Sequence, residues 1–451
     1  MNALIRPGFA RSLAAAALTL SCTLNAPSAL AFCGFYVGKA DANLFNEASQ
    51  VVMVRDGDRT TITMRNDYQG DLQEFAMVVP VPEVLPEESI KVVDNVLFDR
   101  IDAYSAPRLA EYYDANPCHP LRERKNGLIG RAPQALAMDA AKSKVEEDRG
   151  VTVEAEYTIG EYDVVILSAK ESNGLETWLR ENGYRIPAGA AHALAPYIRQ
   201  DLKFFVAKVN LAEQAKTGSA YLRPMQFSFR TGKFMLPIRL GMLNAHGPQD
   251  LVLWVLTRTG RVESTNYRTV HLPANMDIPT YVKGDFRTFY KALFDTQAKR
   301  AEYRVLFTEY VWNMSWCDPC AANPLTPAEL RGLGVEWVTS GGGRAPRAQP
   351  VMLTRLHVRY TDATFPEDLV FQETKDRTNY QARYVLRHPA KVAPDACPAA
   401  GPYLDGVVAR QEREAKVLAT LTGWDVDAIR DRMNIAPLQA WWEEWWVGVA
   451  P

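Results

Sequence analysis

The 451-residue chain is poor in histidine and cysteine, with six of each, and its formal net charge is only −2. That near-neutral balance supplies no global field to attract nucleic acid or an anionic membrane, and no nucleic-acid partner is expected. The six histidines (His119, His192, His246, His271, His357 and His388) form no His-Glu-x-x-His motif, so the commonest zinc-protease helix is absent. Ser340-Gly341-Gly342-Gly343-Arg344 lacks the Gly-Lys-Ser/Thr ending of a phosphate loop and reads as a flexible connection. A Gly-x-Ser-x-Gly nucleophile elbow is also missing. After the first residues there is no long apolar run. Residues 251–256 are too few to span a bilayer and read as a buried strand.

What is present suits a globular body: 47% of residues are hydrophobic and 23% charged, ample for a packed core. The length allows two or three domains, or one large elaborated one. The first residues read as a secretory signal. Arg6 and Arg11 give a positive start, residues 13–24 are apolar, and Ala29-Leu30-Ala31 offers a cut that leaves Phe32 first. A membrane anchor would need about 18–20 apolar residues, and this run ends sooner. Lipid attachment at Cys22 is the alternative, but Thr19 stands where a branched aliphatic residue is wanted. The expected address is therefore exported, periplasmic or secreted, with no transmembrane span after cleavage.

Cleavage after Ala31 leaves Cys33, Cys118, Cys317, Cys320 and Cys397. An oxidising compartment permits disulfides among them. Five cysteines form at most two bridges, and the pairing stays open at this stage.

Along the chain, residues 50–79 alternate as antiparallel strands, with Asp56-Gly57 as a hairpin turn. A short helix is expected over 106–113, then an exposed insertion over 121–150. Strands are expected at 151–157, 163–167, 204–209, 226–230, 235–240, 251–257 and 263–268, and again at 303–314, 351–360 and 369–373. The clearest helix is 171–183, capped by Ser172 or Asn173, with Leu175, Trp178 and Leu179 on one face. Further helices are expected at 190–198, 286–293, 404–421, 425–432 and 438–446. This order points to an α+β fold with antiparallel β-sandwich-like cores, helical insertions and a helical C-terminal tail. It divides into a leader (1–31), a β-rich region (32–100), an insertion (101–150), a central α+β region (151–285), a mixed region (286–400) and C-terminal helices (401–451).

Several stretches in order carry a resemblance. They are Phe32-Cys33-Gly34-Phe35-Tyr36-Val37, residues 75–82, and Ala106-Pro107-Arg108-Leu109 leading to Pro117-Cys118. Residues 163–169, Trp178-Leu179, Asn182-Gly183-Tyr184, 237–244, 266–270, 317–320 and 365–371 continue the match. Together, from Phe32 to His388, they resemble an exported bacterial family, domain of unknown function 2330. The resemblance implies an exported address and carries no activity or catalytic residues.

Candidate chemistry is sparse. Cys317-Asp318-Pro319-Cys320 is the most distinctive motif, since two cysteines two residues apart can form a reducible bridge. Pro324 and Pro327 interrupt the helix a redox site of this type requires, so a structural bridge is the simpler reading. Zinc would need two more ligands, and no histidine or cysteine lies at finger-like spacing. His119 beside Cys118 suggests a thiol couple, but a structural Cys118 is favoured. Acidic clusters (Asp362 with Glu367-Asp368, and Glu154, Glu156 and Glu161) read as edges or turns. Trp441, Trp442, Trp445 and Trp446 form two i,i+4 pairs; they dock a terminal helix onto the body or meet a partner. The leading expectation is a non-enzymatic envelope protein that takes an unknown protein or small ligand, without metal or cofactor. The alternative is an enzyme, either a thiol–disulfide oxidoreductase using Cys317 and Cys320 or a hydrolase.

Overall fold

The structure, a computed structural model, describes residues 35–39, 45–69, 75–119, 151–182, 184–185, 189–217, 222–244, 247–316, 318, 323–339 and 349–434. The expected insertion at 121–150, Cys33, Cys317, Cys320, His246 and the four C-terminal tryptophans lie outside the described residues.

The chain opens with β1 (Phe35–Lys39), β2 (Phe45–Asp56), β3 (Arg59–Gln69) and β4 (Phe75–Val81). β5 (Ile90–Val92), α1 (Val96–Ser105) and β6 (Arg108–Tyr113) follow. Next come β7 (Val151–Ile159), β8 (Tyr162–Ala169), α2 (Ser172–Glu181), β9 (Tyr184–Arg185), α3 (Ala190–Ile198), β10 (Lys203–Val209) and α4 (Leu211–Lys216). The middle holds β11 (Met225–Arg230), β12 (Met235–Leu236), β13 (Gln249–Thr257), β14 (Val262–Ser264), β15 (Arg268–His271) and β16 (Met276–Asp277). Then follow α5 (Phe286–Arg300), β17 (Val305–Asn313), α6 (Pro327–Gly332) and β18 (Met352–Tyr360). The described chain closes with β19 (Leu369–Glu373), β20 (Tyr380–Gln381), β21 (Arg383–His388), α7 (Ala400–Thr422) and α8 (Val426–Met433).

Two large sheets dominate. One runs β7-β8-β10-β4-β1-β9; the other runs β15-β17-β18-β13-β2-β3-β11-β5, with β20 beside β17. Their facing sides share one core, in which Val51, Met53, Ile62 and Met64 of the second sheet join Val79, Val164, Ile166 and Phe205 of the first. Period-2 side-chain alternation sends Val52 and Val54 to the opposite face, where they pack with Leu97, Phe98 and Ile101 of α1. The outer face of the first sheet buries Leu175 and Leu179 of α2 and Leu194 and Tyr197 of α3. α5, α7 and α8 close a fourth cluster through Phe289, Leu293, Leu418 and Ile429. Strands buried on both faces explain why β2 reads as a continuous run, Val51-Val52-Met53-Val54.

The fold is α+β with a sandwich-like core, as the sequence order implies. The large second sheet is mixed, because β13 runs parallel to β2 and β15 parallel to β17. The Asp56-Gly57 hairpin is present, with Gly57 at φ 62° and Asp56 paired to Arg59.

Four local expectations change. Residues 108–113 form a strand, because β6 lies parallel to β21 and pairs from Arg108↔Arg383 to Tyr113↔His388. Residues 235–240 give only a two-residue strand before a 3-10 turn at Arg239–Asn244. Residues 263–268 split into the ends of β14 and β15. The N-cap of α2 is Glu171, and neither Ser172 nor Asn173 occupies that position.

Candidate functional site

The densest polar cluster lies where β17 bulges. Register shifts between Thr308 and Tyr310 against β18, so Glu309 is the extra residue and its side chain meets α5. The side chain is fully buried. Arg355 donates to it through Nε at 2.7 Å, and His357 Nδ1 lies at 2.9 Å. Tyr290 of α5 donates its hydroxyl to the same carboxylate. A carboxylate only accepts, so its contact with His357 places the ring proton on Nδ1. Arg355 also reaches Asp102 of α1 at 2.6 Å and lies over the Trp254 ring at 5.1 Å. His357 stacks on Phe294 at a centroid distance of 3.6 Å and an interplanar angle of 7°.

Burial alone would raise the Glu309 carboxyl, but the positive charges of His357 and Arg355 overcome it and hold the group at about 2. Burial first, then the Glu309 charge, pushes the Tyr290 hydroxyl well above its usual range. A histidine, a carboxylate and a tyrosine in contact have the makings of acid–base machinery. Here the Tyr290 hydroxyl, His357 Nδ1 and the Glu309 carboxylate face one another inside the core. Both Arg355 and His357 are more than nine-tenths buried, and the cluster ties β17 and β18 to α5 and α1.

A second charged region is open to solvent. A cleft of about 300 Å³ lies between the end of α3, the segment around β12, the 3-10 turn and the approach to β19. Arg199, Lys233 and Arg239 supply three cations at its wall; Glu367 and Asp368 supply two carboxylates. Asp368 is buried, and its Oδ1 accepts from the Tyr197 hydroxyl (2.7 Å), Ile238 N (2.9 Å) and Arg239 N (3.2 Å). Burial raises this carboxyl despite those three donors. The Arg239 guanidinium sits over the Tyr197 ring at 5.6 Å, and Lys233 Nζ donates to Gln200 Oε1 at 2.7 Å.

Of the residues singled out from sequence, Cys118 and Cys397 form a disulfide that joins the turn after β6 to the start of α7. Cys118 therefore offers no thiol for His119 to activate. Four residues before Cys118, Asp114 accepts from Arg410 Nη2 (2.8 Å) and the Tyr403 hydroxyl (2.7 Å), so α7 is docked by both covalent and polar links. Glu161 is buried against Arg223, whose Nη2 lies 2.6 Å away. Glu156, Asp362 and Glu367 are exposed, while Asp368 is buried at the cleft. Among the described residues, no three His, Cys, Asp or Glu side chains converge as a metal-binding group. No helix among them is long and apolar enough to cross a membrane.

Sequence reasoning passed over the cations of the cleft, which come from three separate segments and carry no local signal. The buried cluster did leave one. Arg355, His357 and Arg359 alternate with Leu356 and Val358, placing three basic groups on one face of a strand.

A solved structure of a mutated baculovirus P35 after caspase cleavage aligns with 73% of this chain and 99% of its own, at 10% identity and a TM-score of 0.29. No curated protein matches the chain. Residues 27–372 match the family described as an uncharacterized protein conserved in bacteria, DUF2330, and the chain belongs to that family.

Proposed function

We propose that the chain is an exported envelope protein that works by binding a ligand rather than by converting one. The observation that carries this reading is how the titratable groups are divided. The groups able to exchange protons, Glu309, His357 and Tyr290, are engaged with one another in the core. The groups bordering the open cleft are mainly guanidinium and ammonium ions, which attract and orient without trading protons near neutral pH.

Export is supported by the leader-like residues 1–31 and by the Cys118–Cys397 disulfide, a bond that persists in oxidising compartments. The family match adds no activity of its own. The C-terminal tryptophans Trp441, Trp442, Trp445 and Trp446 remain candidates for a partner surface, and Cys317 and Cys320 for a second bridge.

Cell fractionation followed by intact-mass and non-reducing peptide mapping tests the address. The expected result is an envelope-fraction protein beginning at Phe32, with the peptides holding Cys118 and Cys397 linked. Full-length chain in the cytoplasm with Cys118 freely alkylated would overturn export.

A further inference from the structure

We propose that the cleft walled by Arg199, Lys233 and Arg239 binds the oxyanion of a small organic molecule, a carboxylate or phosphate group on a short carbon body. This rests on the binding role proposed above and gives it a place and a ligand class.

The first argument is charge. Three cations border the cleft against two carboxylates, so positive charge is in excess there. Asp368 is turned inward, with Oδ1 taken by Tyr197 and two backbone N–H groups. Glu367 stands exposed, and its backbone is bonded to the Tyr267 hydroxyl. Among the described residues, no carboxylate lies within ion-pair distance of Arg199, Lys233 or Arg239. Arg359, by contrast, is matched to Asp250 and Asp295, and Arg223 to Glu161.

The second argument is placement. Asp368 holds the backbone N–H of Arg239 itself, so the residue that presents the guanidinium is fixed from below. The Arg239 guanidinium lies over the ring of Tyr197, a fully buried side chain whose hydroxyl is anchored on the same Asp368. Stacking uses the face of a guanidinium and leaves its in-plane N–H donors for an oxyanion, which they can grip in bidentate fashion. Because ring, carboxylate and turn are already in place, a ligand would not have to order them on binding.

The third argument is size and wall chemistry. A volume of about 300 Å³ is at the lower end of small-molecule sites. Pro196, Met235 and Val370 add apolar surface for a few carbon atoms. A short organic anion fits this combination better than a polymer or a bare ion.

The test is calorimetric titration of the mature chain with succinate, with inorganic phosphate and with the neutral analogue succinamide, to about 10 mM, past the millimolar range of weak ion sites. At least one anion should bind saturably at one site, and succinamide should not. Arg239→Gln and Lys233→Gln should each weaken that binding about tenfold or more without moving the melting temperature. Preference for phosphate or for succinate tells the phosphate-ester source from the carboxylate source. Failure of both anions to bind, or binding indifferent to the two substitutions, would sink the anion site. Saturable succinamide binding in the cleft would overturn the ligand class but keep the binding role. Conversion of a bound probe to product would overturn the binding role while leaving the site in place.

Discussion

Glu309 and Asp368 are both buried carboxylates, and each accepts three hydrogen bonds, yet their acidities move in opposite directions. Two of the three donors to Glu309 are the side chains of Arg355 and His357, and its carboxyl falls to about 2. The donors to Asp368 are a hydroxyl and two backbone N–H groups, and burial drives its carboxyl upward. Counting hydrogen bonds does not separate the two sites; the charge of the donors does. The consequence reaches function. Around Glu309 the cations are consumed, and the cluster becomes a strut between sheet and helices. Around Asp368 the carboxylate braces the chain with neutral donors and leaves the nearby cations facing solvent.

Exchanging each carboxylate for its amide is the direct way to break this comparison. Glu309→Gln should show the largest effect in the molecule, because it leaves the Arg355 guanidinium buried beside a neutral group. A loss of about 3–5 kcal/mol of unfolding free energy is expected by urea titration near neutral pH. The sign with pH follows from the depressed carboxyl. The stability Glu309 contributes is present above its ordinary value of 4.5 and is lost as pH falls toward about 2. A substitution costing less than about 1 kcal/mol would show that the cluster is not the strut described.

Glu414 sharpens the contrast from a third environment. It sits on α7 one turn beyond Arg410, whose Nε is 3.5 Å away. Burial, aided by the negative charges of Asp277 and Asp114, raises its carboxyl to about 7 against the pull of Arg410 and Arg387. A raised carboxyl reverses the sign seen at Glu309. Its contribution is fully present below the ordinary 4.5 and is lost as pH rises through about 7. Glu414→Gln should therefore stabilise the protein at pH above about 8, by about 2 kcal/mol, and have little effect near pH 5. Melting curves at the two pH values check this; equal shifts at both would remove Glu414 from the account.

The sequence shows local structure more readily than it shows these environments. Helix α3 was expected at residues 190–198 and occurs there, and Gly57 marks its hairpin, because both depend on near neighbours. Residues 106–113 contain helix formers such as Leu109, Ala110 and Glu111, but Pro107 holds Ala106 extended at ψ 149° and parallel pairing with β21 decides the rest. The sequence carries the alternation of Arg355, His357 and Arg359 but reads there only as a strand, and Glu309 meets this face only because β17 bulges. The Cys118–Cys397 pairing spans 279 residues, and cysteine count alone left it undetermined. The cleft was least legible of all. Arg199, Lys233, Arg239 and Asp368 come from four segments that only the tertiary fold brings together.

Asp368→Asn should give the smallest effect on stability, and the reason is specific. An asparagine Oδ1 can still accept from Tyr197, Ile238 N and Arg239 N, so the brace under the 3-10 turn survives. The substitution removes a charge that burial already disfavours and deprives no cation of a bonded partner. A change within about 1 kcal/mol is expected, with any gain appearing as pH rises, since a raised carboxyl contributes most below its ordinary value of 3.8. Anion binding should persist or strengthen, because one negative charge has left a cleft that retains all three cations. A loss comparable to that of Glu309→Gln, measured in the same urea titration, would mean that Asp368 is ionically paired after all. The two carboxylates would then differ only in where they sit.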